Sequence, residues 1–495
     1  MRPTGQPIAA ARRGALQPAL FALALALACS SCTCAPKASP AIRPVTRTPM
    51  GRLPEAFRKQ TVMVTDEGAL WVDDGPDGNR AVQDGRPGPL FAEIGPPRFL
   101  PGTTRVFYWA IDLVRGERTI VLVADGERFS GGFARMGSLV FSKRGEHWAA
   151  VGGDEVERWP GEYAPGRTKI IADGKVAGIY ADTSMPDFSP DGAHLAYLIE
   201  RDDGKIALVV DGQEQRVFAA PGVRASPPIK NETTGPNLIR QYDARYLSDG
   251  SLFVIATDED GWAVFHGDQR LGSYQRNVWS GPGVQFEFGS EFQHSAALVP
   301  ATVATAETAS VAAWWTREAG QEERWHVVRN GTPEAQVCAR PWVYEPPALS
   351  ADGQHVAYAC HETPADQPDR VWVIHDGQRL GPYAGVWGLA LSPDGRRLAF
   401  GADDGASERP WSYVVDGRPR RLQFDSLFPP RFSPDGRHVA WVAERYGRLI
   451  LFLDGSGYAS SDALVASPRF RPDGTLVWAT ARNRRLSRIE IGPSA

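Results

Sequence analysis

The chain has 495 residues, 42% of them hydrophobic, a formal net charge of −4, and 51 glycines, 40 prolines and 15 tryptophans. Nine basic residues and one acid fall in the first 60, leaving the remainder at −12, a balance that excludes the basic surface nucleic-acid backbone requires. That much glycine, proline and tryptophan argues for short strands and many turns instead of helices.

Residues 1–28 have the three parts of an export signal: Arg2, Arg12 and Arg13 at the start, an apolar core from Ala15 to Leu27, and a small-residue site at Ala26-x-Ala28. The apolar core is too short to anchor in a hydrocarbon layer of about 30 Å. A later apolar stretch, Ala296 to Ala313, is broken by Pro300 and Glu307. Export is therefore expected, with no membrane span. The residues LALAC, ending at Cys29, resemble the lipobox of bacterial lipoproteins, which implies a lipid on Cys29 and the periplasmic face of the outer membrane. Ala26 stands where that family usually has leucine, so plain cleavage before Cys29 stays open.

Residues 29–60 are rich in proline, weakly hydrophobic and without period, and are expected to be a tether. Cys29, Cys32 and Cys34 have no second ligand group nearby to complete a metal site, and no metal or cofactor is expected.

Residues 61–495 repeat themselves. One refrain is a Pro-Asp-Gly or related turn followed by an apolar run: FSPDGAHLAYLIE at Phe188, LSPDGRRLAFGAD at Leu391 and FSPDGRHVAWVAE at Phe432. Proline presets φ, aspartate bonds its own backbone and glycine accepts positive φ, which is turn chemistry. The turn pairs are Asp191-Gly192, Asp249-Gly250, Asp352-Gly353, Asp394-Gly395, Asp435-Gly436 and Asp473-Gly474. Runs apolar at successive positions predict strands covered on both faces. A second refrain, such as LVVDG at Leu208 or LFLDG at Leu451, closes a strand on an Asp-Gly hairpin signal. The units recur every 40 to 60 residues, the spacing of a repeat array or propeller.

FSPDG followed by an apolar run, a strand and Asp-Gly resembles the propeller repeat of the TolB family, which is related to the propeller half of prolyl oligopeptidases. The resemblance implies an all-β fold, a single β-propeller of four-stranded blades, and a role in the bacterial envelope. The separate α/β domain of TolB has no counterpart here. Nine turn anchors are present, and the hairpin from Thr61 to Gly75 is expected to complete the C-terminal blade, giving about eight blades, with seven to nine allowed.

No Gly-x-Ser-x-Gly nucleophile motif occurs; Gly455-Ser456-Gly457 sits in a hairpin turn. His147, His194, His355 and His438 share one phase at the strand start and are expected to face solvent on separate blades. Trp109, Trp148, Trp315, Trp441 and Trp478 fall in the apolar strand and are expected to be core. Trp279, Trp342, Trp387 and Trp411 have loop-like contexts, and Trp279, Trp342 and Tyr344 are the candidates for a partner surface. The insertions beginning at Pro221 and Ser280 are further candidates.

Cys338 and Cys360 enter one unit from opposite sides of a turn; a disulfide or two buried thiols are the alternatives. A non-enzymatic, monomeric binder of a protein or peptide is expected, with a membrane contact only through lipid. An enzyme of lyase or glycoside hydrolase type in the central channel, or a sensor of small ligands or glycans, are the alternatives.

Overall fold

The computed structural model describes residues 44–493, apart from internal segments of which the longest are 219–241 and 278–296. Nearly every ordered element is a short strand, and the described strands assemble into ten sheets of four or five strands and one two-stranded hairpin. Each sheet is a blade in chain order. Blade 1 is built from Met63–Val64, Ala69–Gly75, Gly78–Gln83 and Arg86–Pro87; blade 8 from Gly385–Leu391, Leu398–Asp403, Trp411–Val415 and Arg418–Pro419.

The blade count corrects the sequence expectation of eight, and the reason lies at the N-terminus. Val45–Arg52, within the stretch read as tether, pairs antiparallel with Arg485–Ile491, from Val45 opposite Ile491 to Arg52 opposite Arg485. The N-terminal strand thus supplies the fourth strand of the last blade. The Thr61–Gly75 hairpin is freed to begin a blade of its own instead of completing the C-terminal one. Nine anchors and one hairpin make ten blades.

Ring closure is visible in the packing. The buried apolar residues fall into ten clusters, each drawn from two consecutive blades. The cluster joining the ends unites Ala463, Ala479 and Leu486 of blade 10 with Leu53, Val64 and Trp71 beside blade 1. A four-stranded sheet covered by neighbours on both faces needs its central strands apolar throughout, as in Trp148–Gly153 and Val356–His361, which are buried at every position. Large aromatics fill the gaps between sheets: Trp314, Trp315, Trp441, Trp478 and Tyr413 are among the largest fully buried side chains.

The two refrains of the sequence meet at one end of every typical blade. In blade 8 the Ser392 hydroxyl donates to Asp394 at 2.6 Å and accepts the Arg397 N–H at 3.0 Å, while the Gly395 N–H bonds the Ser392 carbonyl at 2.8 Å. Ser142, Ser189, Ser350, Ser392 and Ser433, one per blade, are all buried in this role. The Asp-Gly hairpins at the same end have positive φ at both central residues, 51° and 72° at Asp416 and Gly417, the type I′ geometry that matches strand twist.

Consecutive anchor turns touch. A Cβ on Gly436 would lie 3.3 Å from Ser392 of the preceding blade, and one on Gly395 would collide with the His355 ring. Arg397 of blade 8 donates to the Gly436 and Arg437 carbonyls of blade 9 at 3.1 and 2.6 Å. The first-to-second turns of blades 7, 8 and 9 thus touch in series, while Gly174, Gly331 and Gly417 of the third-to-fourth turns meet the fourth strand of the preceding blade and Gly212, Gly377 and Gly455 have open space beside them. First strands are innermost and fourth strands outermost.

Candidate binding surface on the innermost strands

An innermost strand has one unpaired edge, and native sheets blunt such edges with proline and bulges. Seven blades here carry an irregular first strand in which the register slips before the anchor turn. In six of them prolines sit at the slip: Pro96 and Pro97, Pro186, Pro300, Pro346 and Pro347, Pro429 and Pro430, and Pro468. Blade 8 differs. Trp387 pairs with Gly401 and Ala390 with Ala399, so one extra residue is accommodated, and Gly388 at φ +69° makes the bulge.

The bulge leaves Trp387 41% exposed on a strand whose flanking Val386 is buried. Trp342 and Phe428 occupy the corresponding positions of blades 7 and 9, each one residue after the last regular pair, and their backbone N–H groups bond Ala359 and Val442 at 3.0 Å. Trp342 is half-buried. Its indole N–H donates to the Val386 carbonyl at 2.8 Å and its ring packs 5.3 Å from His361, so it braces blade 7 against blade 8 directly beneath the neighbour of Trp387. Phe428 packs against the cluster between blades 9 and 10. The three positions form an aromatic series along one arc, with Trp387 the member that reaches solvent.

A second feature lies on blades 4 and 5. Asp187 accepts the Tyr246 N–H at 2.8 Å, and Arg245 holds Asp243 at 2.7 Å. Burial pushes the Asp187 carboxyl above its ordinary value, and the Asp243 charge adds to the rise, while the Tyr246 bond opposes it. Met185, 40% exposed, borders the bulge of the same strand.

Of the sequence candidates, Trp279, Tyr344 and Cys29 lie outside the described residues, as do 219–241 and 278–296. Trp342 is a brace. Trp387, which carried only its loop-like context in sequence, takes the surface position. Asp191, Asp249, Asp352, Asp394, Asp435 and Asp473 are engaged in their own turns, each held below the usual carboxylate value, with a side-chain hydroxyl bond the largest cause at all but Asp473, where the Thr475 N–H leads.

Cys338 and Cys360 are joined by a disulfide with Cα atoms 5.9 Å apart, at the junction of blades 6 and 7. The four histidines are not free strand starts: His147, His194, His355 and His438 each contact the aspartate of the Asp-Gly turn at 2.6 to 2.7 Å. Among the described residues no group of three or more His, Cys, Asp or Glu is placed to hold a metal.

No protein-family model matches the chain, and no curated protein matches it. Solved structures similar to it include a eukaryotic initiation factor (11% identity, 80% of this chain and 96% of that one, TM-score 0.41). Others are TolB from Acinetobacter baumannii (12%, 85% and 78%, 0.24) and the β-propeller domain of the Trilobed protease from Pyrococcus furiosus (11%, 72% and 93%, 0.30).

Proposed function

We propose that this propeller is a non-enzymatic scaffold of the bacterial envelope, tethered through a lipid on Cys29, that binds a protein or peptide segment on the innermost strand of blade 8. The observation that carries the reading is Trp387. A tryptophan exposed on a glycine bulge contributes little to packing, whereas exposed aromatics backed by a rigid wall are the usual anchors of recognition surfaces. On either side the strand is fixed, by the Trp342 indole on the Val386 carbonyl and by Pro429 and Pro430 against Gly388. The exported, Pro-rich N-terminal sequence and the likeness of the repeat to the TolB type belong to the same reading.

The test is a selection of displayed peptides on the wild-type chain and on Trp387→Ala. Peptides enriched on the wild type are expected to lose about tenfold or more in affinity on the variant, the size of one interface anchor. Equal binding to both chains would remove the proposal.

A second reading, a channel enzyme of glycoside hydrolase type, draws on Asp187 and Asp243, a carboxyl that burial pushes above its ordinary value beside a second one held by Arg245. Turnover of a glycoside lost in both Asp187→Asn and Asp243→Asn would favour it over the scaffold.

A further inference from the structure

Between blades 1 and 2, at the end of the ring that carries the anchor turns, lies a cleft of about 510 Å³. It opens where the outermost strand of blade 1 is interrupted by prolines. Arg86–Pro87 pairs with Gly78–Gln83 and the Gly88 N–H bonds the Ala81 carbonyl at 2.8 Å, but Pro87 and Pro89 have no N–H to give, and pairing resumes only where Phe91 lies opposite Asn79. Beside this interruption Val106, Tyr108 and Val123 of blade 2 line the cleft. The floor is apolar, from Leu70, Val106 and Val123.

Three polar groups converge on that floor. Tyr108 is 3% exposed, and its hydroxyl has no hydrogen-bond partner among the described residues; it reaches to 4.0 Å of the Cβ position at Gly88, in the segment that walls the cleft. The hydroxyl is thus open to bond a group that enters the cleft. Gln83 donates its amide N–H to the Thr104 carbonyl at 2.8 Å, which fixes its Oε1 as the acceptor it offers the cleft. Arg86 lines the rim, exposed, with no ion-pair partner among the described residues. The one acid in the lining, Asp84, is turned to the backbone, where its Oδ1 accepts the Ala69 N–H at 2.8 Å.

We infer that this cleft is a binding site for a carboxylate carried on an apolar body, with Arg86 and the Tyr108 hydroxyl holding the carboxylate and Gln83 Oε1 accepting an adjacent amide N–H. Such a group is presented by the C-terminal residue of a peptide, and in part by a free apolar acid. The site is separate from Trp387, seven blades along the chain.

Titration calorimetry of the full chain with three probes tests this. N-acetyl-leucine carries carboxylate, apolar body and amide; N-acetyl-leucinamide lacks the charge; 4-methylpentanoate lacks the amide. The acid is expected to bind about tenfold or more tightly than its amide, the worth of a charge-assisted bond. Arg86→Ala should abolish that preference, Tyr108→Phe should weaken the acid several-fold without disturbing the fold, and Trp387→Ala should change nothing. Weaker binding of 4-methylpentanoate assigns the site to peptide ends, and equal binding assigns it to free acids. The inference is overturned if acid and amide bind alike, if Arg86→Ala keeps the preference, or if no probe binds in the millimolar range.

Discussion

His194 Nδ1 lies 2.7 Å from Asp211 Oδ2, and the other oxygen of the same carboxylate accepts the Leu195 N–H at 2.9 Å. One aspartate, held in the hairpin at φ 51°, thus fastens the start of the second strand by both backbone and side chain. The arrangement recurs at Asp173, Asp376 and Asp454 with histidine, and at Asp125 and Asp416 with arginine.

The His194 pair makes stability depend on pH. The hydrogen bond and charge of Asp211 raise the His194 value above its ordinary one. A group whose value is raised on folding stabilises fully below its unfolded value, about 6.5 for histidine, and that stabilisation fades as pH rises through the folded value. His194→Gln is therefore expected to lower the thermal midpoint more at about pH 5.5 than at about pH 8.5. A difference that stays constant across this window would contradict the pairing.

The anchor serine is a structural centre. Ser392 is fully buried and serves both the Asp394 carboxylate and the Arg397 N–H. Replacing it with alanine leaves both without their partner, at a cost of about 1–3 kcal/mol in a urea titration. Ser392→Thr keeps the hydroxyl and should recover part of the loss; if both variants match the wild type, the anchor contributes nothing.

Two tryptophans should behave oppositely. Trp441 is 2% exposed between Tyr413 and Phe452, with ring centroids at 4.6 and 5.9 Å. Trp441→Ala should lose about 3–5 kcal/mol of stability. Trp387→Ala should stay within about 0.5 kcal/mol, the range of surface changes. Comparable losses in chemical denaturation would make Trp387 a packing residue.

The disulfide closes a segment of 22 residues across the boundary of blades 6 and 7. On chain-entropy grounds it should stabilise by about 3 kcal/mol. Both cysteines are at most 3% exposed, so dithiothreitol should fail to reduce the bond until denaturant is added. Cys338→Ser with Cys360→Ser should lower the urea midpoint; an unchanged midpoint would show that the bond adds nothing.

What was legible in the sequence was local. Asp-Gly and Ser-x-Asp-Gly fix φ and hydrogen bonds within a few residues, so turns, strands and the four-stranded unit could be read directly. The closing strand could not. Val45–Arg52 reads VTRTPMGR, polar and proline-bearing, because it is an outer edge, and its partner lies more than 400 residues away. Trp387 was similarly obscure: the exposure of AGVWGLA comes from a bulge, and a single glycine does not announce which neighbour it uncovers. The histidine partners lay in the other refrain, 16 to 26 residues on, a periodicity visible in the sequence but without a sign that the two refrains touch.

The claim that Trp387 is the recognition anchor is tested most directly by crosslinking. A photoreactive benzoylphenylalanine at position 387 is compared with one at Tyr446, which is 69% exposed on the hairpin between Val439–Arg445 and Arg448–Leu453 of blade 9. A discrete adduct formed at 387, absent at 446 and suppressed by a peptide selected on the wild-type chain is the predicted result. Equal labelling at both positions, or an adduct at 387 that the peptide leaves untouched, would contradict it.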